Sequence, residues 1–171
     1  MRILWPLLLL VVIAVVIIAC SISSSDNIGD ESGEFAIYLT AQDIPDDQIP
    51  QTDPNTVELN DEPVISTSDI ISYSWETHEI KLTDSAYETI QGFGTGMPFV
   101  ACVGGKPIYI GAFWPSYSSK TFDGVVIDPT LGVLNHTIAV QLGYPESFFT
   151  GEDLRSDPRI YDSLEQAGKL K

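Results

Sequence analysis

The residues with the best spacing for metal chemistry are His78 and Glu79. They begin like the His-Glu-x-x-His pattern of zinc proteases, in which two histidines one helical turn apart bind the metal. Leu82 stands in place of the second histidine, and the chain has one other histidine, His136. No further ligand follows from the spacing. We therefore assign no metal and no cofactor, and a zinc site built on the two histidines stays an alternative.

Nucleophilic catalysis has little support in the residue pattern. Cys102 lies between Ala101 and Val103 without a base or a positive charge beside it, so we expect a small buried core residue. The Gly-x-Ser-x-Gly pattern of serine hydrolases is absent. Glycoside hydrolysis needs only two carboxylates at a suitable separation, which a single sequence does not show. We assign no catalytic residue, and a hydrolase stays an alternative.

The segment Gly111–Ser119 is the best candidate for ligand binding. It places Phe113, Trp114 and Tyr117 directly after a β-rich run, among proline and serine residues. Aromatic rings on the rim of a loop can stack on a peptide, a sugar or another ring. Trp75 lies in a separate turn and is included as a fourth candidate. The alternative is that these rings cover one end of the core.

The chain begins with Met1-Arg2 and an unbroken apolar run, Ile3–Ala19. The run is at the lower limit for spanning a bilayer and slightly long for a signal-peptide core. It ends in Ile-Ile-Ala-Cys, which resembles a bacterial lipobox, with a small residue before Cys20 for the signal peptidase and a thiol that accepts a diacylglyceryl group. We predict a signal peptide or membrane anchor at 1–19 and lipidation at Cys20. An uncleaved anchor, with an incidental Cys20, stays open.

Charge excludes one class of partner and suggests a location. The chain has 8 Lys and Arg against 24 Asp and Glu, a formal net charge of -16, which disfavours nucleic acid. Residues 20–34 are rich in Ser, Gly and Asp and predict an acidic flexible tether. The positive end of the apolar run stays inside, so we expect the rest of the chain on the extracytoplasmic face. Its expected partners are the membrane, through the anchor, and an envelope protein or extended peptide.

Residues 35–171 have the pattern of a single α+β domain with a mainly antiparallel sheet and two helices. Two β-rich runs, Pro98–Val103 and Lys106–Phe113, flank Gly104-Gly105 and predict a hairpin. Further strands are predicted at Phe35–Leu39, Ile70–Tyr73, Glu79–Leu82, Val125–Ile127 and Thr137–Leu142.

Both helices carry start or stop signals. Thr83 is a good N-cap for a helix over 84–91, and the capping-box spacing of Ser85 and Glu88 leaves open a start two residues later. Ser156 is predicted to cap the second helix, which has Pro158 in its first turn and ends at Gly168.

Several motifs between Pro63 and Ile127 occur in a distinctive order. They are Pro63-Val64-Ile65-Ser66, Asp69-Ile70, Leu82-Thr83 before a helix that contains Ala86, a Gly-rich gap, and the turn Gly104-Gly105-Lys106. This order resembles the periplasmic P1 head of SecD, a membrane subunit of the protein-export machinery. The resemblance implies a head-like α+β fold and suggests an accessory role in envelope protein export.

The whole chain has a second resemblance. Its markers are Phe35–Leu39, Thr77–Thr83, Gly111–Trp114 and Leu164–Leu170. With them the chain is similar to a family of small bacterial lipoproteins, which implies an extracytoplasmic location and no particular activity. We expect a membrane-anchored, non-catalytic binding or interaction module. The alternatives are an envelope hydrolase acting on a cell-surface polymer and a structural lipoprotein.

Overall fold

The computed structural model describes residues 33–171, which lie within one compact unit, Glu31–Lys171. The segment 1–19, Cys20 and all but the last two residues of 20–34 lie outside the described residues. The fold is α+β, as predicted, with one mixed sheet of eight strands and two α-helices. None of the helices in residues 33–171 has both the length and the hydrophobicity that crossing a membrane requires.

The elements follow the chain in this order. The strands are β1 (Phe35–Leu39), β2 (Ile65–Ser66), β3 (Ile70–Ser74), β4 (Glu79–Leu82), β5 (Met97–Val103), β6 (Lys106–Phe113), β7 (Phe122–Ile127) and β8 (Thr137–Tyr144). The helices are α1 (Asp84–Ile90) and α2 (Pro158–Gln166). Short 3-10 helices lie at Ile49–Gln51, Pro54–Thr56, Thr67–Asp69 and Glu146–Phe148.

The sheet has the strand order β2-β1-β5-β6-β7-β8-β4-β3. Neighbouring strands run antiparallel except β6 and β7, whose parallel pairing joins Gly111–Phe113 to Val125–Ile127. A parallel pair needs a crossover connection, and here the residues between Phe113 and Phe122 supply it. The carboxyl ends of β6 and β7 therefore lie at the same end of the sheet.

The two faces of the sheet carry separate cores. In β5, Phe99 and Ala101 belong to the main core, which includes the apolar sides of both helices. Val100 and Cys102 alternate with them and belong to a second core on the opposite face, together with Ile49 from the first 3-10 helix. Burial on both faces explains why β5 is apolar at nearly every position instead of alternating.

The capping signals place the helices, with one correction. The Thr83 hydroxyl accepts a hydrogen bond from the Ala86 amide and caps α1, as predicted. The prediction that Ser156 caps α2 is wrong, because the Asp157 carboxylate accepts from the Arg159 amide at 2.9 Å. Pro158 occupies the first helical position, which makes the residue directly before it the cap.

The described chain enters the domain beside the β5–β6 hairpin turn. The Gly104 amide donates to the Glu34 carbonyl at 3.0 Å. A Cβ on Gly33 would lie 2.0 Å from the Gly104 Cα, so only glycine fits at position 33. Gly104 itself has a φ of +58°, which glycine adopts without strain. This contact places the entry point opposite the carboxyl ends of β6 and β7.

Candidate functional site

Two adjoining cavities lie under the segment that carries the first two 3-10 helices. One is a cleft of about 610 Å³ between residues 46–51 and the β6–β7 connection. The other, of about 220 Å³, lies against β6 and the chain that follows β8. Both are lined by Pro50 and Asp123, so the two cavities meet at these residues. We call them together the acidic groove.

The upper wall of the acidic groove is fixed by local turn chemistry. Pro50 and Pro54 each lie in the first turn of a 3-10 helix. A proline is tolerated there because the backbone amide at that position has no hydrogen-bond partner within the helix. The Asp53 carboxylate accepts from the Asn55 amide at 2.9 Å and caps the second helix. Ile49 is fully buried in the second core and anchors the segment to the sheet.

The floor of the smaller cavity is a strand edge. Ile108–Ile110 of β6 line it, together with Gly124 and Val125 of β7. The described β6–β7 pairing covers only Gly111–Phe113, so Ile108–Ile110 have no strand partner on the β7 side. On this side the stretch faces the smaller cavity under the 3-10 segment instead of a paired strand.

Carboxylates dominate the charge of the acidic groove. Lys120 pairs with Asp46, with 2.6 Å between Nζ and Oδ2, and this hydrogen bond lowers the pKa of Asp46. Thr150 holds both oxygens of Asp123, through its amide at 2.7 Å and its hydroxyl at 2.6 Å. Asp47 and Glu152 add two further carboxylates. Three acids beyond the Asp46–Lys120 pair therefore face this surface and favour a cationic ligand.

The structure does not bring the four predicted aromatic residues to one surface. Phe113 is buried in the main core and Trp114 in the second core, on opposite faces of the sheet. Trp114 packs against Phe122 with ring centroids 4.7 Å apart, and one side of it lines the larger cavity. Tyr117 is 74% exposed. Trp75 packs at the margin of the main core, with the Tyr161 ring at 5.1 Å.

The two histidines lie at opposite ends of β4. The Val140 amide donates to the His78 carbonyl, and the Leu82 amide donates to the His136 carbonyl. Strand β4 therefore separates the two residues. Within residues 33–171 no three His, Cys, Asp or Glu side chains are grouped to hold a metal ion.

Neither the thiol nor the titrating carboxyl groups favour catalysis. Cys102 is fully buried, and burial raises the pKa of its thiol to about 11, so it is neutral and shielded. Four carboxyl groups in the described chain have a shifted pKa, and each pKa is lowered by hydrogen bonds from neighbouring groups. They are Asp46, Asp53, Asp153 and Asp157. A general acid in a glycosidase needs the opposite shift.

Sequence analysis missed the acidic groove because its walls come from four distant segments. The prolines of residues 42–56 predict only a loop, and nothing local shows that this loop covers a strand edge.

Comparison of the chain with protein-family models, with curated proteins and with solved structures finds no match in any of the three.

Proposed function

We propose that this chain is a membrane-anchored extracytoplasmic lipoprotein whose domain is a non-catalytic binding module for an extended polypeptide segment. The anchor at 1–19 and the lipid on Cys20 are supported by the sequence pattern alone. A fold like the SecD periplasmic head and an accessory role in envelope protein export are part of the same proposal.

The observation that carries the proposal is the combination of groups in the acidic groove. An unpaired strand edge at Ile108–Ile110 supplies main-chain donors and acceptors for an extended peptide. The same smaller cavity is walled by apolar side chains, among them Pro54, Val125 and Leu154, and its volume of about 220 Å³ can hold one apolar side chain of the peptide. Carboxylates on both sides would attract Lys or Arg in the same peptide.

The experiment measures the affinity of two short extended peptides by fluorescence anisotropy. In the Leu-Lys peptide leucine alternates with lysine, and in the Leu-Glu peptide it alternates with glutamate. We expect the full chain to bind the first and not the second. Asp47→Lys or Glu152→Lys should weaken binding by about tenfold, because each replaces an attraction by a repulsion worth ~1.4 kcal/mol.

The matched control is Asp61→Lys, which makes the same charge change at an exposed acid outside the groove. An equal loss of affinity in this control would mean that the peptide responds only to net charge. That result, or equal binding of both peptides, would contradict the proposal.

A further inference from the structure

The loop between β7 and β8 ends in three exposed aliphatic side chains. Leu134 is fully exposed, Val133 is 64% exposed and Leu131 is 44% exposed. We call these three residues the aliphatic tip. Single exposed aliphatic residues are ordinary on a protein surface, but three on one loop form an apolar surface that favours contact with a partner or a membrane.

The loop is held in a defined shape that directs these side chains outward. The His136 amide donates to the Gly132 carbonyl at 2.6 Å, and the Tyr87 hydroxyl donates to the Leu131 carbonyl at 2.8 Å. Gly132 has a φ of +81°, and a Cβ there would lie 2.1 Å from the Thr137 carbonyl oxygen. Only glycine therefore allows this turn.

The surface of the aliphatic tip carries no charge of its own. Residues 129–137 contain no Asp, Glu, Lys or Arg, although the whole chain has a net charge of -16. The preceding acid, Asp128, is buried, and its carboxylate accepts two hydrogen bonds from Thr130. His136 has its Nδ1 2.8 Å from an oxygen of Asp84 at the base of the loop. An uncharged apolar tip suits an apolar environment.

One other exposed apolar side chain, Ile71, lies at the same end of the sheet. Tyr117 follows β6, where its neighbour Ser116 is hydrogen-bonded both to Thr130 after β7 at 3.2 Å and to Tyr144 at the end of β8 at 2.6 Å. Ile71 is half exposed and lies near the start of β3. The first residue of β3, Ile70, pairs with Leu82 at the end of β4. Among the described residues the one large exposed apolar side chain at the other end is Phe148.

The chain enters the domain at the opposite end, beside Gly33 and Gly104. The eight residues of β6 span about 26 Å between the two ends. Residues 20–32, if extended, reach about 43 Å. A chain attached to a membrane at Cys20 is therefore long enough to turn its far end toward that membrane.

We infer that the aliphatic tip inserts into the lipid bilayer to which the chain is attached. The inference rests on the proposed membrane anchor. Three aliphatic side chains bind a bilayer weakly, but the tether makes the contact intramolecular and raises its effective concentration. Because the inserting residues are uncharged, no ion pair holds the contact and added salt does not release it.

The test places a diazirine photo-crosslinking amino acid at position 134 of the full chain in its native membrane. The matched control places it at position 148, which is 51% exposed at the other end of the sheet. Mass spectrometry of the irradiated protein identifies the adducts. We expect phospholipid adducts at position 134 that persist in high salt, and at least fivefold fewer at position 148. The double variant Val133→Asp, Leu134→Asp should lose protection of the loop from added protease.

Two failures are distinguishable. If the chain fractionates with membranes and position 134 yields only protein adducts or none, the tip does not insert and the anchor stands. If the chain does not fractionate with membranes at all, the proposed anchor and this inference are both wrong.

Discussion

His78 combines a turn conformation with a buried ring. Its φ is +52°, and its ring lies 5.9 Å from Trp75 and 6.2 Å from Tyr73, whose hydroxyl is 3.1 Å from Nδ1. Burial lowers the pKa of His78, the positive charge of Arg155 lowers it further, and the negative charge of Asp153 opposes both. The folded protein therefore disfavours the protonated form that the unfolded chain adopts readily.

This shift predicts a pH dependence of folding. As pH falls through 6.5, the unfolded chain takes up a proton at His78 that the folded protein resists, so stability decreases toward the lowered pKa. His78→Asn removes the titrating group and keeps a residue that tolerates positive φ. Urea unfolding between about pH 7.5 and 5.5 should show a shallower loss of stability in this variant than in the unsubstituted protein. Equal pH slopes in the two proteins would show that His78 does not titrate differently on folding.

At the scale of elements, Ser156 and Asp157 are both residue types that favour the N-cap position, and only Asp157 caps α2. Asp157 accepts the Arg159 amide, whereas Ser156 is exposed and lies outside the helix. Asp157→Ala should lower the free energy of unfolding by about 1 kcal/mol, and Ser156→Ala should change it by less than about 0.3 kcal/mol. Denaturant unfolding of both variants measures the difference. A larger loss of unfolding free energy from Ser156→Ala than from Asp157→Ala would show that Ser156 caps the helix.

Elements with local signals could be predicted, and their arrangement could not. The Gly104-Gly105 turn and the alternation in β8 depend on neighbours in the chain, so the β5–β6 hairpin and β8 were predictable. The parallel pairing of β6 with β7 depends on the crossover between them, and no short-range pattern specifies it. The same holds for the second core, in which Ile49 meets β5 through a segment that predicts only a loop.

In the candidate site, too, residue types could be read from the sequence, and their positions relative to one another could not. The sequence predicts ligand binding at Trp114, and the structure places this ring in the second core with one side on the larger cavity. The acids Asp47 and Glu152 are far apart in the chain and meet the groove only through folding. Phe113 illustrates the limit, since its type suggested a binding surface and its burial in the main core depends on the opposite side of the sheet.

At the scale of the whole molecule, the described domain separates three features in space. The chain enters beside Gly33, the aliphatic tip lies at the opposite end, and the acidic groove runs under the 3-10 segment. The proposed membrane contact and the proposed peptide site therefore use different surfaces of the domain.

The central claim is that an extended peptide pairs with the free edge of β6, and amide hydrogen exchange tests it most directly. The full chain is exchanged with and without saturating Leu-Lys peptide, and protection is followed in fragments that cover residues 108–110. We predict slower exchange in these fragments and no change in those covering β3, which lies at the far edge of the sheet. Peptide binding without added protection at residues 108–110, or with protection at β3 instead, would contradict the account.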